Sequence, residues 1–116
     1  MSVATLRRRN EFQAVYRQGV KVSGRFVVVF GLLREGGECR LGITATRRLG
    51  GAVVRNRARR RIRELFRRYA APLGGLAVDV VVNARDGCGA APWSDLSTDF
   101  ERCVTTLRRR LPPRTS

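Results

Sequence analysis

The stretch Arg55-Asn56-Arg57-Ala58-Arg59-Arg60-Arg61-Ile62-Arg63-Glu64-Leu65-Phe66-Arg67-Arg68 holds eight arginines and one glutamate in fourteen residues. Ala58, Ile62, Leu65, Phe66 and Tyr69 recur through it at i, i+4, i+7, i+8 and i+11, the spacing of one face of an α-helix. A disordered basic tail has no use for such a stripe. The pattern predicts an amphipathic helix docked by its apolar side, with its remaining faces densely cationic. A rigid row of guanidinium groups suits phosphates, above all those of a folded nucleic acid.

Working outward, Gly50-Gly51 lead into this helix, which the pattern places at about 52–69, and Pro72 with Gly74-Gly75 breaks the chain after it. Upstream, Arg25–Leu33 and Cys39–Thr46 read as strands joined by a hairpin loop, Arg34-Glu35-Gly36-Gly37-Glu38. A short extended piece at Val20–Ser23 comes before them. A first helix, with Phe12, Val15 and Tyr16 on one face, starts at an Asn10 cap answered by Gln13 and ends at Gly19. Downstream, Ala77–Ala84 reads as a strand. Ser94 then caps a last helix carrying Leu96, Phe100, Cys103, Val104, Leu107 and Leu111, stopped by Pro112-Pro113. The order α-β-β-β-α-β-α predicts an α+β fold, a small four-stranded mixed sheet packed with three helices. Residues 1–116 are expected to form a single domain, with 1–9 a basic arm and 112–116 a tail.

Twenty-four basic residues against nine acidic ones give a net charge of +15, which points to a polyanionic partner. No run of apolar residues is long enough to cross a membrane, and Arg7-Arg8-Arg9 is followed by Asn10, Glu11 and Gln13 rather than by a signal-peptide core. Cys39, Cys88 and Cys103 are odd in number and unpaired in spacing, which argues against a disulfide framework or a zinc ribbon. A cytoplasmic setting is the expectation. Histidine is absent, which removes the usual general base and the commonest metal ligand, and the carboxylates are scattered.

The run from Thr44 to Phe66, with Thr46-Arg47-Arg48, Gly51-Ala52-Val53 and Arg55-Asn56-Arg57 at its heart, resembles the signature of the bacterial ribonuclease P protein subunit. That signature runs approximately Ser-Lys-Lys, two residues, Asn-Ala-Val, one residue, Arg-Asn-Arg, then a basic helix. Glu11–Gly19 is similar to the family's first helix, Arg25–Phe30 to its central strand and Asp79–Arg85 to its last strand. The likeness spans about residues 5–111. Here Thr46-Arg47-Arg48 replaces the Ser-Lys-Lys, and Gly51 replaces an Asn at the helix entry.

The resemblance implies the protein subunit of a ribonucleoprotein that matures the 5′ end of precursor tRNA. Its partners would be the ribonuclease P RNA subunit and precursor tRNA, with no membrane and no protein partner required. Catalysis and its Mg2+ would be held chiefly by the RNA, with no catalytic residue and no metal site in the protein, which agrees with the missing histidine and the scattered carboxylates. The resemblance also implies a left-handed βαβ crossover, against the usual rule. By matching position, Arg47, Arg48, Arg55, Asn56, Arg57, Arg59, Arg60 and Arg63 are the candidate contacts to catalytic RNA and substrate. Phe12, Tyr16 and Phe30 are candidates for a cleft holding the 5′ leader. Read from the residues alone, phosphate contact is the preferred reading of Arg47-Arg48, with a solvated pair flanking the helix as the alternative. Each aromatic is as readily ordinary helix–sheet core, Tyr16 being the better candidate because its hydroxyl suits a wet rim. Asn56 suggests a specific hydrogen bond, to RNA or at the helix entry. Arg61, beside the apolar stripe, suits packing through its stem. Glu64 is placed to bridge to Arg60 or Arg68.

Overall fold

Val78, Val80, Val81 and Val82 are adjacent or alternate along one strand and all are fully buried. A strand apolar on both faces belongs inside a sheet, covered from both sides. In the computed structural model, which describes residues 3–112, this strand is β5 (Val78–Ala84) and it lies at the centre. The others are β1 (Ala4–Thr5), β2 (Val20–Ser23), β3 (Val27–Leu33) and β4 (Arg40–Thr44). The sheet order is β1-β4-β5-β3-β2.

This order corrects the sequence expectation twice. The sheet has five strands rather than four, and β3 and β4 do not form a hairpin. β3 runs antiparallel to β5, with Phe30 opposite Val81, while β4 runs parallel to β5, with Leu41 opposite Val80. The loop Arg34–Glu38 therefore carries the chain past the end of β5. Arg34 holds it closed, donating to the carbonyl of Gly36 at 3.0 Å and to that of Glu38. The additional strand comes from the segment expected to be a basic arm. The Ala4 N–H donates to the Cys39 carbonyl (3.3 Å) and the Leu6 N–H to that of Leu41 (2.9 Å), extending the sheet in parallel, with the Leu6 side chain buried as an anchor. Two paired residues carry no legible alternation, so nothing in the sequence pattern marks them as a strand.

Helix α1 (Arg9–Gln18) covers one sheet face, while α2 (Ala52–Tyr69) and α3 (Trp93–Arg110) cover the other. The α1 cap lies at Arg8, not at Asn10: the Arg8 N–H donates to Glu11 Oε1 at 3.2 Å. That bond and the nearby Arg40 guanidinium lower the Glu11 pKa. Gly19 does end the helix, its N–H on the Val15 carbonyl at 2.9 Å. α3 begins after Pro92, so Ser94 lies inside its first turn rather than capping it. Leu96, Phe100, Cys103, Val104 and Leu107 form one wholly buried face of α3. Pro112 follows the helix, and Pro113 with the remaining tail, like Met1 and Ser2, lies outside the described residues.

Among the described residues two charged side chains are buried, and both serve the fold. Asp79 on β5 accepts a bidentate pair from Arg40 at 2.7 Å each, and Arg34 Nε lies 2.7 Å away as a further ion-pair contact. Arg40 also reaches Glu11 on α1 at 2.6 Å, so one arginine ties β4 to β5 and to the helix above. Asp99 on α3 accepts the backbone N–H groups of Arg25 (2.9 Å) and Phe26 (2.8 Å). Burial opposes its ionisation, but these two bonds and Arg102 outweigh it and lower its pKa. A Cβ at Gly24 would stand 2.7 Å from an Asp99 oxygen and 2.6 Å from Cys103 Sγ, so this contact needs glycine. Burial pushes the thiols of Cys39, Cys88 and Cys103 up to about 11, leaving them protonated at neutral pH.

Candidate nucleic-acid interface

The parallel unit β4–α2–β5 sets the basic helix on the sheet. Ala58, Ile62, Leu65 and Phe66 are buried beneath it, as the stripe predicted. With that face fixed, the helical period dictates which arginines point outward.

The eight arginines of α2 fall into distinct environments. Arg61 is structural: it donates to the Cys88 carbonyl at 2.9 Å and the Ala91 carbonyl at 2.6 Å, with its guanidinium 5.7 Å from the Trp93 ring centre. It therefore pins the loop before α3 through its charged head as well as its stem. Arg67 and Arg68 both bind Glu64, which they hold at a pKa of about 2. Arg68 is one of the two partners expected for Glu64; Arg67 takes the place of Arg60. Arg59 is half-buried and reaches the Ala45 carbonyl at 3.4 Å. Arg55 is half-buried, its Nε without a hydrogen-bond partner among the described residues. Arg57, Arg60 and Arg63 are exposed and make no hydrogen bond or ion pair with the described residues. Asn56 is exposed beside them and likewise unpartnered, so the helix-entry contact open to it in the sequence is not formed.

The entry itself is bare. Gly51 is the N-cap, with no side-chain cap, and a Cβ there would meet nothing within 4 Å. Arg47 and Arg48 lie just ahead of it in a single 3-10 turn, Arg47–Leu49, both exposed. The structure thus sets Asn56, Arg57, Arg60 and Arg63 along the outer side of α2, with Arg55 and Arg59 at its margins. Arg47 and Arg48 lie in the turn before the helix, where Arg48 lines a separate cleft with Ala84, Arg85 and Asp86.

Phe12, Tyr16 and Phe30 come together on the opposite sheet face, over Leu6, Val15 and Val81. Their exposures differ. Phe30 is buried, with the Tyr16 ring against it edge-on at 4.9 Å and Lys21 Nζ at 6.0 Å. Phe12 is half-buried and lies over Gly42, where a Cβ would be 2.6 Å from the ring. Its outer side helps line a cavity of about 510 Å3 together with Arg59, Arg63 and Phe66. Tyr16 alone is exposed, at 37%. Its hydroxyl donates to Asn83 Oδ1 at 2.9 Å and lies 3.1 Å from Thr44 Oγ1. This polar rim surrounds an accessible ring, a suitable platform for an unpaired base.

Sequence reasoning missed two features of the site. Asp79, an acidic residue in the strand read at Ala77–Ala84, is the buried partner of Arg40 and Arg34. Val53 was passed over, although it lies off the apolar stripe in a helix otherwise polar there, and that displacement was the available signal. Glu11, Glu64, Asp79 and Asp99 are each engaged by arginine, and no group of three or more metal-ligating side chains occurs among the described residues.

A sequence profile of the Ribonuclease P family matches residues 2–108. The chain belongs to the ribonuclease P protein family. It is 38% identical over 108 residues to the ribonuclease P protein component of Acidothermus cellulolyticus, covering 88% of this chain and 86% of that protein. It is 40% identical over 107 residues to that of Gluconacetobacter diazotrophicus, covering 90% and 88%. Among solved structures, the Staphylococcus aureus RNase P protein superposes with a TM-score of 0.78 at 29% identity, covering 90% of this chain and 95% of that one. The Thermotoga maritima RNase P protein gives 0.76 at 25% identity, covering 93% and 98%. Membership makes the chain a protein component of ribonuclease P, the accessory subunit of an endoribonuclease in tRNA processing. Among the described residues no helix is long and apolar enough to cross a membrane.

Proposed function

We propose that the exposed side of α2, with Arg47 and Arg48, binds the catalytic RNA subunit and the nearby body of precursor tRNA, and that the α1 face holds the single-stranded 5′ leader on Tyr16. The observation that carries this is the division within α2: four buried apolar residues fix the helix, and Arg57, Arg60 and Arg63 are left without partners among the described residues. Leaving three such charges unpaired on one side of a helix costs stability through mutual repulsion and is repaid when phosphates arrive. Magnesium is assigned to the RNA subunit, where it supplies the activated water for phosphodiester hydrolysis. Glu11, Glu64, Asp79 and Asp99 are held by the chain's own arginines, and the described residues bring no three possible metal ligands together, so the protein is assigned no metal of its own. The protein's own contribution is to neutralise phosphates where two polyanions meet and to position the leader. The left hand of the β4–α2–β5 crossover and a cytoplasmic setting belong to the same proposal, supported by family membership.

The test is cleavage of precursor tRNA by the cognate RNA subunit at low magnesium. Adding the protein is expected to restore 5′ maturation under conditions where the RNA alone is nearly inactive. An unchanged rate at saturating protein contradicts the proposal.

A further inference from the structure

Val53 is 81% exposed, more than any other large apolar side chain among the described residues. Its neighbour Val54 lies against Gly50 and Gly89, but Val53 stands in the first turn of α2, pointing away from the core. Folding does not account for it: an exposed valine adds no burial, and its branched Cβ slightly disfavours helix. What surrounds it is informative. Val53, Asn56, Arg59, Arg60 and Arg63 line an open depression of about 460 Å3. An apolar contact, an unpartnered amide and guanidinium groups with no carboxylate among them converge there.

That combination matches one kind of ligand. An acidic peptide would satisfy the arginines but leave Val53 wet, and an apolar peptide would bury the arginines unpaired. A nucleotide offers a flat apolar face, a hydrogen-bonding edge and an anionic phosphate together. We propose that this depression receives an unpaired nucleobase of the ribonuclease P RNA subunit, its face on Val53, its edge on the Asn56 amide, and its flanking phosphates on Arg60 and Arg63. This rests on the RNA-binding function proposed above and adds a base contact to a surface otherwise described by charge. The RNA subunit, rather than the leader, is taken as the source because Val53, Asn56 and Arg60 stand on the outer side of α2, beyond the cavity through which Arg59 and Arg63 adjoin Phe12, and the Tyr16 platform lies on the other face of the sheet.

The experiment compares the full-length protein with Val53→Ser and Val53→Ile in binding the cognate RNA subunit across a salt series. Val53→Ser should leave thermal stability unchanged and weaken RNA binding by about tenfold, the worth of one buried valine. The loss should be the same at every salt concentration, because no phosphate contact is removed, whereas Arg60→Ala should flatten the salt dependence by about one unit of slope. Val53→Ile, which keeps the apolar surface, should bind like the parent. A loss below about twofold for Val53→Ser, an equal loss for Val53→Ile, or a flattened slope for Val53→Ser overturns the proposal. So does a Val53→Ser effect confined to leader-bearing precursor in the assembled holoenzyme, since that would make the leader the source of the base. Failure of the parent protein itself to bind the RNA subunit would sink the RNA-binding function and this inference together. Normal parent binding with an unaffected Val53→Ser variant sinks only the inference.

Discussion

On the α2–α3 side of the sheet, Ile62, Leu65, Phe66, Leu96, Phe100 and Leu107 are sealed from water, while on the α1 side the buried set is Leu6, Val15, Phe30 and Val81 and Tyr16 stands 37% exposed. The thick side holds the fold. It fixes the rotation of α2, and once that is fixed the outward residues of α2 are free to be almost all charge. The thin side gives up burial to keep part of the sheet accessible. On the proposed function, stability and recognition are thus separated by face, and within α2 by the two sides of one helix.

The largest test of this separation is a core truncation on the thick side. Phe100→Ala should cost about 3–5 kcal/mol of folding stability, measured by denaturant titration. A loss under about 1 kcal/mol would mean that this face does not carry the fold. Next comes the polar seam of the same side. Asp99→Asn should cost about 2–3 kcal/mol at neutral pH by weakening the acceptors for the Arg25 and Phe26 N–H groups. The folded pKa of Asp99 is lowered, so its contribution is present above the unfolded value near ~3.9 and is lost as pH falls through the folded pKa. Stability measured across that acid range should therefore fall less steeply in Asp99→Asn than in the parent.

On the thin side the expected balance reverses. Tyr16→Ala should cost only about 1 kcal/mol of stability, yet reduce affinity for leader-bearing precursor by about 1–3 kcal/mol while leaving mature tRNA binding unchanged. Equal losses for precursor and mature tRNA would place the Tyr16 effect elsewhere than the leader. The smallest effect is expected at the helix entry. Gly51→Asn supplies the missing side-chain cap in open space and should stabilise by a few tenths of a kcal/mol, about the Gly-to-Asn difference at an N-cap. Destabilisation would show that the bare entry is required as it stands.

The thick side was the legible one. The stripe Ala58, Ile62, Leu65, Phe66 placed α2 at its true position, and Leu96 to Leu107 did the same for α3, because helical period and burial coincide there. The strand order was not legible. β3 and β4 adjoin in sequence with a glycine-rich loop between them, a strong local hairpin signal, but the double-sided burial of β5 draws it between them. Asp79 hid that burial by presenting a charge whose partners, Arg34 and Arg40, lie 45 and 39 residues away. At the site, the basic helix was legible from composition, but the division of its arginines was not. Arg61 is occupied by two carbonyls of a loop 27 and 30 residues downstream, and Arg60 by none of the described residues, though they are neighbours in the chain. Only the rotation fixed by the core tells them apart.

The central claim is that geometry, not bulk charge, makes α2 the RNA-binding element. It is tested most directly by the salt dependence of RNA-subunit affinity for two double variants of equal charge. Arg57→Ala with Arg60→Ala should weaken binding strongly and flatten the slope of log affinity against log salt by about 1.5–2. Arg109→Ala with Arg110→Ala, on the exposed end of α3, should change the slope by less than about 0.5. Indistinguishable losses and slopes for the two pairs would contradict the account.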